Sequence, residues 1–366
     1  MRIFYDGQVY KLSPNRGISR YFANIISRLP DSYTPLLTTY NSGVNNPFHP
    51  NLQIFKYRRF KPQRLAYWLE KYYFRSVTAS NSFDVAHPTY YSLLSSQEIN
   101  TYHCPVVLTV WDMIHELFSE QMDPCGQYAE EKRKAIFAAQ IIICISENTK
   151  KDLLERYSLP ENRVKVTYLA SGIDTSIAYG LEPVPSRPYY LYVGSRDSGY
   201  KNFDGLLSAF AKAASVQSDI SLCVVGSPFN RTEKKMIVDL GLNNRIDHYS
   251  HASDNHLAKL YRCSIALVYP SLYEGFGIPP LEAMSCGTAT IAANCSSIPE
   301  VVGDAGILFD PQAISDLADI LLFLFDNSIE RDRLVAKGYE RAQLFSWDKT
   351  AAKTINVYQS LSGNNF

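Results

Sequence analysis

Three absences bound this chain of 366 residues before any motif is considered. It lacks a charge excess, since 36 basic and 36 acidic side chains cancel, which removes bulk attraction to nucleic acid and leaves only local patches. No apolar run approaches the roughly 18–20 residues that a membrane span needs. The seven cysteines form no C-x-x-C pair and no zinc-like His/Cys spacing, so they read as free thiols of a reducing compartment. Cys144, Cys223 and Cys263 lie in or beside apolar runs and are expected as core residues. The N-terminal stretch Arg2-Ile3-Phe4-Tyr5-Asp6 enters a strand directly, and a cytoplasmic protein is expected.

The remaining composition is that of a large folded enzyme. With 46% hydrophobic residues the chain can fill a core, and its length predicts two domains. From Arg2 to Thr167, short apolar runs (Arg2–Phe4, Asp84–His87, Val106–Trp111, Ile141–Ile145, Val164–Thr167) alternate with helical stretches near 18–29, 63–78, 127–139 and 147–157. The alternation predicts α/β architecture with a mostly parallel sheet. The stretch 171–188, with Pro183, Pro185 and Pro188, reads as a linker. The same grammar then resumes: strands are expected at 189–193, 221–225, 246–249, 265–269, 290–293 and 306–309, with helices near 202–216, 233–240, 255–261 and 313–325. A final helix is expected at 346–361. Two doubly wound, Rossmann-like domains facing a central cleft, 1–170 and 189–345, are the economical arrangement.

The densest chemical signal follows the apolar run Ile265–Tyr269. Open parallel sheets bind ligands at the carboxyl ends of their strands, and here the loop carries Glu274, Gly275, Phe276, Gly277 and Ile278 before a helix whose first positions suit Pro279 and Pro280. Glu282 lies on that helix and Gly287 just past it. Free amides of the loop and helix start would form a donor surface for an anion. A helix terminus supplies only about 0.3–1 kcal/mol per nearby charge, so cations must come from elsewhere. Glu274 placed about 5 Å from a diphosphate would be repelled by roughly 3 kcal/mol per charge pair at an effective dielectric of 20, so both glutamates are expected to accept from hydroxyls.

The segment Glu274-Gly-Phe-Gly-Ile-Pro-Pro-Leu-Glu282 resembles the E-x7-E signature of retaining GT-B glycosyltransferases of family GT4. The likeness extends through 283–292 and 297–311. It implies a GT-B fold, a nucleoside diphosphate sugar donor bound by the second domain, a glycan or lipid-linked glycan acceptor bound by the first, and a terminal helix (346–366) that crosses back to the first domain. On that resemblance Glu274 orients the transferred sugar and Glu282 holds the ribose.

Other residues gain roles from position and from the same resemblance. After the strand at 189–193 come Gly194, Ser195, Arg196 and Lys201; the two cations are expected to neutralise the diphosphate. Gly17 follows the first strand, where its lack of a side chain could admit phosphates, with Arg16 and Arg20 as nearby charge. Asp112, at the end of 106–111, is the expected catalytic neighbour from the first domain. Many relatives carry histidine just before that aspartate, whereas this chain has Trp111, and His115 ranks below Asp112. Tyr249 and Asp254 are expected to edge the base pocket. No D-x-D occurs, so the carboxylate clamp for Mg²⁺ or Mn²⁺ is missing and no metal or other cofactor is expected. Cations alternate with aromatics over 56–75, which could touch the inner face of a membrane or form an ordinary amphipathic helix with snorkelling side chains. Two alternatives stay open: a GT-B epimerase or phosphorylase, and a non-catalytic sugar-nucleotide binder.

Overall fold

The computed structural model describes residues 1–12, 17–40, 47–175 and 180–362. The chain divides into two compact units, Met1–Leu169 with Trp347–Phe366, and Ala170–Ser346.

The first unit contains β1 (Arg2–Asp6), β2 (Thr34–Tyr40), β3 (Gln53–Tyr57), β4 (Val85–Ala86), β5 (Val107–Val110), β6 (Ile141–Cys144) and β7 (Val164–Val166). They form parallel sheets of order β3-β2-β1-β4 and β5-β6-β7, joined by a parallel bridge between Ala86 and Val106. β1 and β5 are apolar almost throughout because both faces are covered. β2 and β3 were not expected. Pro35 and three threonines break the apolar reading of β2, while β3 is a partly exposed edge strand whose Lys56 and Gln53 look like loop residues.

The helix Trp347–Ser362 packs on the helix Gly17–Ile26 and on β4. Polar side chains fix it there. Tyr358 Oη lies 2.6 Å from His87 Nδ1 and 3.2 Å from Tyr5 Oη, and His87 Nε2 lies 2.9 Å from Thr109 Oγ1. Thr350 Oγ1 donates to the Tyr168 carbonyl at 2.7 Å.

Burial pushes the His87 imidazole down from 6.5 to about 3, so the fold holds it neutral while the unfolded chain protonates near its ordinary value. Between those values the unfolded state binds more protons, and stability falls with acidification by up to about 1.4 kcal/mol per pH unit. Asp6 acts oppositely: burial pushes its carboxyl up to about 7, a contribution present below its ordinary value and lost as pH rises. Denaturant titrations of His87→Gln against the parent should therefore show a shallower acid loss in the variant. Parallel curves between pH 6.5 and 4 would refute the assignment.

The second unit contains β8 (Tyr189–Val193), β9 (Ser221–Val225), β10 (Ile246–Tyr249), β11 (Ala266–Tyr269), β12 (Thr290–Ala293) and β13 (Ile307–Phe309), all parallel, in the order β10-β9-β8-β11-β12-β13. Helices Phe203–Val216 and Ile314–Asp326 cover one face, and Asp254–Cys263 and Ile278–Ser285 the other. The order reverses between β8 and β11, which makes their carboxyl ends the switch point where such sheets bind ligands. The stretch read as a linker is docked rather than loose. Ile173 is buried in the second core, Lys259 Nζ donates to the carbonyls of Gly180 and Glu182 at 2.9 and 2.6 Å, and His256 Nε2 lies 2.8 Å from the Pro183 carbonyl.

Candidate functional site

Two loops leave the switch point, one after β8 and one after β11, and they are cross-tied. Leu272 N donates to the Tyr200 carbonyl at 2.7 Å. Asn202, in a left-handed conformation with φ 52°, donates through Nδ2 to the carbonyls of Pro270 (3.1 Å) and Pro311 (2.9 Å). That turn starts the helix Phe203–Val216 and delivers Lys201 to Glu274: Nζ and Oε1 are 2.8 Å apart, with side chains only 17% and 13% exposed.

Glu274 is itself held by backbone. Its N–H donates to Ser296 Oγ at 3.0 Å, and Ser297 Oγ donates to the carbonyls of Glu274 (2.8 Å) and Phe276 (2.7 Å). Burial works against the charge on Lys201, but Glu274 and Tyr200 together outweigh it and hold the ammonium above the usual lysine range. Burial first, and Glu274 second, push the Tyr269 phenol well above its ordinary value, leaving it a donor. The expected conflict between Glu274 and a diphosphate is thus eased by a lysine already in contact with it.

Several expected site residues stand differently. Arg196 turns inward: 2% exposed, it binds Glu233 Oε1 through Nε at 2.8 Å, donates to the Ser227 carbonyl, and lies 4.7 Å from the Phe229 ring centre and 5.2 Å from that of Phe203. As it stands it braces the loop instead of offering an open fork, although its buried Nη1 has no hydrogen-bond partner among the described residues. Its neighbour Gly226 permits this packing, since a Cβ there would sit 2.3 Å from the Gly194 carbonyl oxygen. Glu282 is buried too, accepting from Tyr261 Oη at 3.1 Å. The helix starts at Ile278, so Pro279 and Pro280 fall at its second and third positions. Neither carries an N–H, and Leu281 N is bonded to the Gly277 carbonyl, so this helix end offers at most the Ile278 amide. Gly277 has φ 132°, outside the reach of residues with a Cβ.

The rest of the set is mixed. Gly194 follows β8 with its amide bonded to the Val225 carbonyl, and Ser195 Oγ donates to Asp197 Oδ2 at 2.8 Å. Gly275 is half-buried, and Phe276 is buried with its ring edge-on to Phe345. Tyr249 ends β10, at the sheet edge, against His256, and Asp254 opens the next helix behind the Ser253 cap.

In the first unit, Gly17 is the exposed first residue of its helix and Arg20 is half-buried on it; Arg16 lies outside the described residues. Asp112 Oδ1 accepts from Ile114 N at 3.1 Å and lies 3.8 Å from Lys132 Nζ. Lys132 is fully buried and bonds Glu116 Oε2 and the Asp112 carbonyl at 2.8 and 2.9 Å. His115 stacks on Tyr128, and burial together with the Lys132 charge lowers its pKa. Trp111 is buried edge-on to Tyr21 at 5.0 Å, so it serves packing. Sequence reasoning missed Ser296, Ser297 and Glu233 as supports. Only Glu233 left a local sign, the Asn230-x-x-Glu233 capping box.

Comparison with known proteins decides the family. A profile of glycosyl transferases group 1 matches residues 181–341 and one of glycosyltransferase family 4 matches 15–176. The chain belongs to the GT4-type glycosyltransferases. O-antigen chain mannosyltransferase B of Escherichia coli is 27% identical over 322 residues, 85% of this chain and 81% of that protein. An MMP alpha-(1->4)-mannosyltransferase of Mycolicibacterium hassiacum is 32% identical over 238 residues, 63% of this chain and 57% of that protein. Sucrose-phosphate synthase from Thermosynechococcus elongatus superposes with a TM-score of 0.76 at 20% identity, covering 99% of both chains. The GT4-type hexosyltransferase thus has the GT-B fold, and its E-x7-E segment lies at the switch point of the second sheet.

Proposed function

We propose that this glycosyltransferase moves a hexose, with retention and without a divalent ion, from a nucleoside diphosphate sugar to a glycan or lipid-linked glycan acceptor in cell-surface polysaccharide assembly. The observation that carries the reading is the Lys201–Glu274 pair at the carboxyl ends of β8 and β11. It sets a cation and a carboxylate side by side, as a substrate joining a phosphate to a hydroxyl-bearing ring requires. Bond cleavage leaves negative charge on the β-phosphate, which Lys201 and backbone N–H groups of the loops stabilise. Glu274 accepts from hydroxyls of the sugar and orients it. With retention, the acceptor attacks from the leaving-group side and a phosphate oxygen takes its proton, so no protein nucleophile is needed.

In this reading Arg196 turns its spare Nη1 toward the phosphates when donor binds, Gly17 serves the donor phosphates, Asp112 and Arg20 belong to the acceptor side, and His115 stays outside the chemistry. The two mannosyltransferase relatives favour mannose as the hexose. Contact of residues 56–75 with a membrane belongs to the same proposal and is supported by Trp68 and Tyr72, which are 64% and 65% exposed on the helix Gln63–Ser80.

Calorimetry with UDP, GDP and ADP tests the donor half. Lys201→Ala should weaken the preferred nucleoside diphosphate by roughly tenfold to a hundredfold, the span expected for one charged hydrogen bond. Unchanged affinity would remove the central cation from the account.

A further inference from the structure

We propose that the first unit contains a separate subsite for a phosphoryl group borne by the sugar acceptor, in the cavity lined by Arg59, Phe60, Lys61, Arg64, Tyr67 and Glu70. The inference rests on the acceptor reading above and deepens it. The cavity measures about 580 Å³, within the range of sites that hold small ligands.

Its position follows from the fold. Tyr40 ends β2, Tyr57 ends β3 and Lys11 lies in the short helix Gln8–Leu12 just after β1. These residues hold the cavity wall, so it opens at the carboxyl ends of a parallel sheet. Tyr57 Oη donates to the Ala66 carbonyl at 2.7 Å, fixing the first turn of the helix Gln63–Ser80.

The wall is built around a buried charge. The Glu70 side chain is 1% exposed and lies 3.2 Å from both Lys11 Nζ and Arg59 Nε, while Tyr40 Oη donates to it. Burial, with Glu70 adding to it, pushes the Tyr40 phenol up, so that donor keeps its proton. The Arg59 guanidinium also lies over the Tyr40 ring at 4.6 Å. Burying a carboxylate is costly unless it is paired, and here the effect of the pairing is to fix Arg59 in the cavity wall, with Lys11 on the other carboxylate oxygen.

Lys61 and Arg64 have no acidic partner within ion-pair distance among the described residues. Three lining cations, Arg59, Lys61 and Arg64, therefore stand against one carboxylate, which Lys11 also pairs, in a chain whose total charge is zero. The helix adds the same sign, since its first turn contains no acid. Phe60 and Tyr67 supply flat apolar faces beside these charges, which suits a sugar ring attached to a phosphate. Such a group could come from a soluble sugar phosphate or from the phosphate joining a glycan to a lipid. The chemistry recognised is the same in both.

Of the three tryptophans, Trp68 adjoins Tyr67 and is largely exposed, Trp111 is buried and Trp347 is half-buried, so the part of the tryptophan emission that Trp68→Phe removes reports on this region. The full chain would be titrated with mannose 1-phosphate, and separately with vesicles of phosphatidylglycerol and phosphatidylcholine. A saturable change with the first identifies a soluble source, and one with the vesicles alone identifies a lipid source. In either case the double variant Lys61→Ala/Arg64→Ala should bind on the order of tenfold more weakly or worse, while its nucleoside diphosphate affinity should equal the parent's. No saturable response to either probe, or equal binding by the double variant, overturns the subsite. Nucleoside diphosphate affinity measured on the same samples reports on the second unit alone, so failure of the donor reading would be seen separately.

Discussion

Glu274→Gln is expected to lower kcat on the order of a hundredfold or more, the usual consequence of removing one preorganised electrostatic group from a transition state. The less obvious half of the result concerns binding. In the parent protein Lys201 is held 2.8 Å from Glu274, and part of its charge is spent on that partner. The amide variant releases the ammonium to the phosphates, so nucleoside diphosphate affinity should stay level or rise while turnover collapses. Steady-state kinetics and calorimetry on one preparation separate the two effects. Parent-like turnover, or an affinity that drops alongside kcat as in Lys201→Ala, would show that the carboxylate does not act on the sugar.

Arg196→Met should cost stability before anything else. The substitution leaves Glu233 buried without its cation, a change that typically destabilises by about 3–5 kcal/mol, and it removes the guanidinium packed between Phe203 and Phe229. Adding Glu233→Gln should recover much of the loss, because the buried charge disappears with its partner. Denaturant unfolding of the two single variants and the double variant closes the cycle. If Arg196→Met unfolds like the parent but binds nucleotide poorly, the inward pose is not the working one and the guanidinium spends its time on the ligand.

What could be read from the sequence depended on whether a residue's role was local. Most strands of the second unit are largely apolar runs, the edge strand β10 with Asp247 and His248 excepted, and β8, β9, β10 and β12 appear with the expected ends. The proximity of the loops around 201 and 274 followed from both being placed at strand ends. Side-chain direction did not follow. Nothing in the letters tells an arginine that faces a ligand from one that turns back onto Glu233, 37 residues away, or a helix glutamate facing solvent from one meeting Tyr261. β2 was hidden by Pro35, and β3 by its exposed edge position. The weakness of the helix end at Ile278 was legible in principle, since two prolines in the first turn remove two of the amides counted on.

The last helix brings a consequence for biogenesis. Tyr5 and His87 find part of their bonding only when Tyr358 arrives, 353 and 271 positions later in the chain. During synthesis, therefore, the amino-terminal half emerges with an open slot whose polar lining must wait, wetted or chaperoned, while the entire second unit is made and folds. A stop codon ahead of residue 347 would leave that slot empty permanently, damaging the half of the molecule most distant in sequence from the lesion.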